Sequence, residues 1–435
     1  MKIIYQVLLL IALTVPGFAQ LNSKLQAKLD FQSEEIEAKV IAWRQDFHQH
    51  PELGNREFKT GAKIAEYLKS LGIKVQYPVA ITGVVGILEG AKPGPVVALR
   101  ADMDALPITE RNSLPFASKE KTIFASAETG VMHACGHDAH MAILMGVVEI
   151  LSKNRSELKG TVKFIFQPAE EGPPSGEDGG ASMMVKLGVL ENPKVDVIFG
   201  LHMLSTLPSG QLGYRPEGIM AAVDPLKITV YGRGAHGATP WDSKDPIMIA
   251  SQIMNGLQTI ISRQTDLTKA PAVITIGSFH SGNRGNIIPE VAELQGTIRT
   301  FDPEMRKILL QKIKLTAEKI AESAGATATV EIEEGSPVTY SDPKLTAMMA
   351  PTLQRTVGKE NAVIVAPTTL AEDFSCYQEK VPGLFFFLGA YPGEMKLNSP
   401  PVHHTADFMM DEKSFVTGVK AMLNLTFDYM YAVKK

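Results

Sequence analysis

Short apolar runs bounded by Gly and Pro constrain this chain most: Val84 to Leu88, Val96 to Leu99, Val162 to Phe166 and Val195 to Phe199. Runs of this kind suit strands buried on both faces, as in parallel sheets. Helices are expected beside them. Ile36, Val40, Ile41 and Phe47 recur at helical spacing within Glu34 to Phe47, and Phe58, Ala62, Ala65, Leu68 and Leu71 repeat the pattern before Gly72. A long apolar helix, Ala139 to Leu151, follows the second strand. The alternation predicts an α/β fold with a mostly parallel sheet.

The texture changes near Ala222. Strand (Lys227 to Tyr231), helix (Pro246 to Arg263), strands (Ala272 to Phe279, Val291 to Thr300), helix (Pro303 to Ala324) and strand (Thr327 to Glu333) spell the βαββαβ order of a ferredoxin-like unit. After Tyr340 the α/β character returns, with a helix from Pro343 to Val357, a strand from Leu384 to Leu388 and a helix from Lys413 to Tyr431. The expected division is therefore one α/β domain over residues 20–222 and 340–435, with a ferredoxin-like domain inserted at 223–339.

Lys2, the apolar run Ile3 to Val15 and the small residues around Ala19 read as a secretory signal peptide, residues 1–19. The expected product is exported, to the periplasm or outside the cell. The run is shorter than the roughly 20 residues of a spanning helix, and no later segment is apolar enough to cross a bilayer. With 43 Lys and Arg against 47 Asp and Glu and no long basic block, nucleic acid is not an expected partner. Two cysteines in an exported chain would ordinarily pair. Cys135, however, lies in His133-Ala-Cys-Gly-His137-Asp-Ala-His140, which reads as a metal-ligand segment, and leaves Cys376 as a buried free thiol.

Ligands gather beyond the carboxyl ends of strands in open α/β sheets. Each apolar run here is followed by chemistry: Arg100 to Asp104, Gln167 to Gly172, then His202, and a loop reaching His403-His404. Any one such residue has an ordinary structural explanation. Their recurrence at successive strand ends, with a Cys-x-His pair, points to a divalent transition metal, zinc by the thiolate, with manganese, cobalt or nickel also compatible. In an extended segment, Glu170 and Glu171 would point to different sides, so that one binds metal and the other serves as a free base. Asp102 and Asp104 are expected to orient ligands from behind.

His48-Gln-His50-Pro-Glu-Leu53, ALRADMDALP (98–107), HACGHDAH (133–140), QPAEEG (167–172), Gly200-Leu-His202, GRGAHGATP (232–240), NIIPE (286–290), GTIRTFD (296–302) and Glu372-Asp-Phe374 together resemble the metal-dependent amidohydrolases of the aminoacylase, hippurate hydrolase and auxin-conjugate hydrolase type. That resemblance implies two divalent metal ions per subunit, an inserted lid domain and a homodimer formed through it. It implies metal ligands Cys135, His137, Glu171, His202 and His404, the last favoured over His403, with Glu170 as general base and then acid. Other branches of the clan carry a His-x-Asp ligand motif where this chain has Asp102-Met103-Asp104. His236 would reach the partner subunit's site and stabilise the oxyanion, while Asn286 and Arg299 match substrate-binding positions of the lid. Arg299 suits a carboxylate or a structural ion pair. His48, His50, His133, His140 and His280 are assigned to structure or to support of the site.

The implied reaction is hydrolysis of the amide of an N-acyl amino acid by a metal-activated water, with Glu170 accepting the proton. A carboxypeptidase or dipeptidase acting on short peptides would use the same site. A noncatalytic metal-dependent peptide-binding protein is the third reading, against which the free carboxylate of Glu170 speaks.

Overall fold

The computed structural model describes residues 23–391 and 402–433. The signal-peptide reading lies outside the described residues, and among those described no helix is long and apolar enough to cross a membrane.

The large sheet has eight strands, in the order Lys74–Val79, Gly83–Glu89, Lys159–Gln167, Lys92–Asp102, Val197–Pro208, Gly383–Tyr391, Leu212–Tyr214 and Ala362–Ile364. The middle four, from Lys159–Gln167 to Gly383–Tyr391, run parallel. Gly83–Glu89 is antiparallel to its neighbours, although its residues are as buried as those of a parallel strand. Alternate residues explain why these runs are apolar throughout. Val97, Leu99, Phe164 and Phe166 join a core on one face of the sheet, whereas Ala98, Ile165 and Ile198 join a core on the other. Helices Glu37–Gln49, His137–Lys153 and Phe415–Ala432 contribute to the first core. Three helices precede the sheet where two were expected, because Ser23–Glu35 also packs, through Leu25 and Leu29.

A second sheet of four antiparallel strands has the order Ala272–Ser281, Val291–Thr300, Ala222–Tyr231, Thr327–Ile332. Helices Pro246–Gln264 and Pro303–Ser323 build a separate apolar cluster on one of its faces, through Ile253, Leu257, Leu309 and Ile313. Asp245 and Asp302 cap these helices by accepting backbone N–H bonds, and Pro follows each cap, where its missing donor costs nothing. Where the chain passes between the two sheets, Glu217–Met220 pairs with Thr339–Ser341, so both crossings lie side by side.

Candidate metal centre

Three central strands and the helix starting at His137 converge on one point. His202 lies within its strand rather than after it, opposite Phe387. Gly136, at φ 105, turns the chain so that Cys135 and His137 precede and open the helix His137–Lys153. Cys135 Sγ is 3.5 Å from His202 Nε2 and 3.2 Å from His404 Nε2. His404 Nε2 is 3.0 Å from Glu171 Oε1. His137 Nε2 is 3.8 Å from Glu170 Oε2 and 3.9 Å from Glu171 Oε1. Both glutamates thus approach the same imidazole, and they sit on a turn rather than an extended segment, after Ala169 at φ 51. The turn, not strand alternation, sets their directions.

These donors fit divalent metal. Ligands held at about 2.1–2.3 Å from one ion in tetrahedral geometry lie roughly 3.4–3.8 Å from each other, which is the scale of the separations here. His137 Nδ1 donates to the Asp104 backbone oxygen at 2.8 Å, so in the neutral ring the bare nitrogen is Nε2, which is buried without a hydrogen-bond partner. His202 Nδ1 likewise donates to the Met203 carbonyl at 2.7 Å, leaving Nε2 toward Cys135. Cys135 joins two donor groups, one with His137 and His202 and one with Glu171 and His404.

The electrostatics favour a cation. Burial and the nearby Glu171 and Glu170 push the Cys135 thiol far up, so a thiolate there needs compensating positive charge. Burial alone would lower His137, but Asp102, Asp104 and Glu171 carry it to about 10. Burial, Glu372 and Glu171 raise Glu170 well above the usual carboxylate range.

The supporting residues are tied together by hydrogen bonds. Asp104 Oδ1 lies 3.2 Å from His137 Nδ1, and its Oδ2 accepts the Glu171 N–H at 2.9 Å. Asp102 accepts from His140 Nδ1 at 2.6 Å and from Arg100 at 2.6 Å. His140 Nε2 accepts the Met203 N–H. His403 Nε2 accepts the Ser205 N–H at 3.1 Å, which fixes that ring to the neighbouring strand and leaves His404 to face Cys135. Sequence reading named Arg100 at a strand end but gave no role to it; the residue is buried, and its guanidinium binds Gln167, Asp102, Glu372 and Asp373. The same reading missed Glu57, 0% exposed. Arg100 at a strand end and Glu372 beside Asp373 were visible signals; Glu57 carried none. Neither cysteine is bridged.

The cluster opens into a cavity of about 870 Å³. Leu204, Met220, Val365 and Phe387 form an apolar wall, and Val223, Pro225 and Glu333 reach it from the second sheet. The single chain does not bring His236 to the cluster. His236 is exposed, in a two-residue strand paired with Ile287–Ile288 and followed by a turn at Gly237 and Ala238, and Gly232 and Gly237 sit at close backbone approaches to Lys244 and Asn286. Asn286 lies beside it through its carbonyl, which accepts the Gly237 N–H at 2.9 Å. Arg299 pairs across the sheet with Val223, so the two side chains share a face.

A metal-dependent hydrolase is the class of protein that this sheet and donor set define. Residues 98–428 match the model of peptidase family M20/M25/M40, and the chain belongs to that family. It is similar to thermostable carboxypeptidase 2 of Saccharolobus solfataricus, 41% identical over 399 residues, covering 91% of this chain and 97% of that protein. N-acetyl-L-cysteine deacetylase of Bacillus subtilis is 37% identical over 381 residues, 88% of this chain and 86% of that one. The crystal structure of a dinuclear metal-binding peptidase of family M20 from Bacillus subtilis superposes with a TM-score of 0.76 at 34% identity, covering 92% of this chain and all of that one.

Proposed function

We propose that the chain hydrolyses the amide bond of N-acyl amino acids carrying an apolar group, using two divalent ions, zinc by the thiolate ligand, held by Cys135, His137, Glu171, His202 and His404. The observation that carries this reading is a second carboxylate, Glu170, half-buried beside the donor cluster where it lines a largely apolar cavity. Ions held there supply Lewis acidity to water and to the scissile carbonyl. Glu170 accepts the proton of the attacking water and returns it to the leaving amine, a role suited to a carboxylate whose affinity for protons is raised. Leu204, Met220, Val365 and Phe387 hold the apolar part of the substrate.

The assembly proposed is a homodimer through residues 223–339, acting as a lid, in which His236 and Asn286 of each chain complete the other's site and Arg299 takes the substrate carboxylate. Exposed Trp241 and Ile287 near His236 support such a contact. We place the protein in an exported compartment, on the signal-like residues 1–19.

Glu170→Gln is expected to retain fold and metal while losing about 10²- to 10⁴-fold in kcat; unchanged turnover would remove Glu170 from the mechanism. The second reading, release of C-terminal residues from short peptides, is favoured by the similarity to a carboxypeptidase. Hippurate, acetylated amino acids and dipeptides, compared on metal-replete protein, separate the two.

A further inference from the structure

We propose that Glu57 is a positioning residue that fixes the turn carrying Glu170 and Glu171. This rests on the roles proposed above for those two glutamates.

Glu57 stands at the N-cap of the helix Phe58–Ser70, yet its side chain makes no bond to that helix. Glu52 does so instead, accepting the Thr60 N–H at 2.9 Å and the Lys59 N–H at 3.3 Å. Glu57 is thereby free to reach across the sheet edge. Its Oε1 accepts the Ala169 N–H at 2.8 Å, and its Oε2 accepts the Thr82 hydroxyl at 2.6 Å. Ala169 is the residue just before Glu170 and holds a left-handed φ of 51°, a conformation that L-residues other than glycine rarely adopt because Cβ crowds the backbone there. A turn under that strain keeps its shape only when its surroundings specify it.

The rest of the segment grips the same loop. A Cβ at Gly54 would lie 2.8 Å from the Gly172 carbonyl oxygen and 3.2 Å from Ala169, so the two backbones touch there without a side chain between them. Asn55 donates to Glu177 and to the Asp178 carbonyl, and Arg56 pairs with Glu177. On the other side, Ala105 donates its N–H to the Glu52 carbonyl, next to Asp104. Residues 52–57 therefore hold the base-bearing turn and the Asp104 segment in one frame. Burial and Asp104 raise the Glu57 carboxyl to about 8, so its neutral form is accessible near pH 7 and an amide mimics it closely.

The test compares kcat, KM, metal content and Tm of full-length, metal-replete Glu57→Gln, Glu57→Asp and Glu57→Ala. Glu57→Gln keeps an acceptor for the Ala169 N–H and is expected within about threefold of wild-type kcat. Glu57→Asp is one methylene too short and Glu57→Ala has no acceptor. Both are expected to lose about 10²-fold in kcat, the scale of a 1 Å misplacement, with KM changed less than threefold. Wild-type kcat in Glu57→Asp would overturn the proposal. So would a Glu57→Gln as impaired as Glu57→Asp. If Glu57→Ala does not fold, Gly54→Ala replaces it, displacing the same turn from its other side with the same expected loss. Because Glu170→Gln is assayed in parallel, an inactive Glu170→Gln beside a fully active Glu57→Asp would reject the positioning role alone, whereas an active Glu170→Gln would reject the reading beneath it.

Discussion

Asp104 serves two donors at once: one oxygen faces His137 Nδ1 and the other accepts the Glu171 N–H. Removing one acceptor should disturb both ligands. Asp104→Asn is expected to weaken metal binding about 10- to 100-fold, measured by chelator competition; unchanged affinity would leave Asp104 outside the support of the centre. The Asp-x-Asp spacing was visible in the chain, but the partners were not. His140 and His137 lie three residues apart on one helix, yet His140 spends both nitrogens on Asp102 and the Met203 N–H while His137 keeps one bare. Adjacent His403 and His404 are separated by a hydrogen bond from the Ser205 N–H to His403 Nε2 that no local pattern announces.

Among the elements, three helices meet at one carboxylate. Glu149, on the helix His137–Lys153, accepts from Lys39 at 2.6 Å, from Lys153 at 2.8 Å and from the Tyr67 hydroxyl. Burial opposes its charge, but these donors outweigh it and hold its pKa at about 2, below the ordinary 4.5. A carboxylate depressed on folding contributes stability above the unfolded value near 4.5, and that contribution fades as pH falls toward 2. Glu149→Gln should therefore cost about 1 kcal/mol at pH 7, and the Tm gap to wild type should close between pH 4.5 and 2. A gap independent of pH would place the effect in packing rather than charge. Strands were legible at this scale because burial on both faces leaves a continuous apolar run. The antiparallel entry of Gly83–Glu89 was not, since burial looks the same in either direction.

For the whole molecule, the decisive prediction concerns two copies. Mixing His236→Ala chains with Glu170→Gln chains should restore part of the activity, because one site of each mixed dimer then has an intact Glu170 and an intact His236 from its partner. No recovery with mixed dimers demonstrably formed would confine His236 to a surface role. The chain by itself determined the order of the central strands and of the long helices and the chemistry close to the strand ends, because apolar period, turn residues and side-chain type are local properties. The tertiary structure alone decided which nitrogen of each histidine is left bare, how the Glu170–Glu171 turn is aimed and that Glu57 reaches Ala169 from 112 positions away. Those depend on hydrogen bonds between groups far apart in the chain, and a buried donor or acceptor is assigned its role by whatever the fold places opposite it.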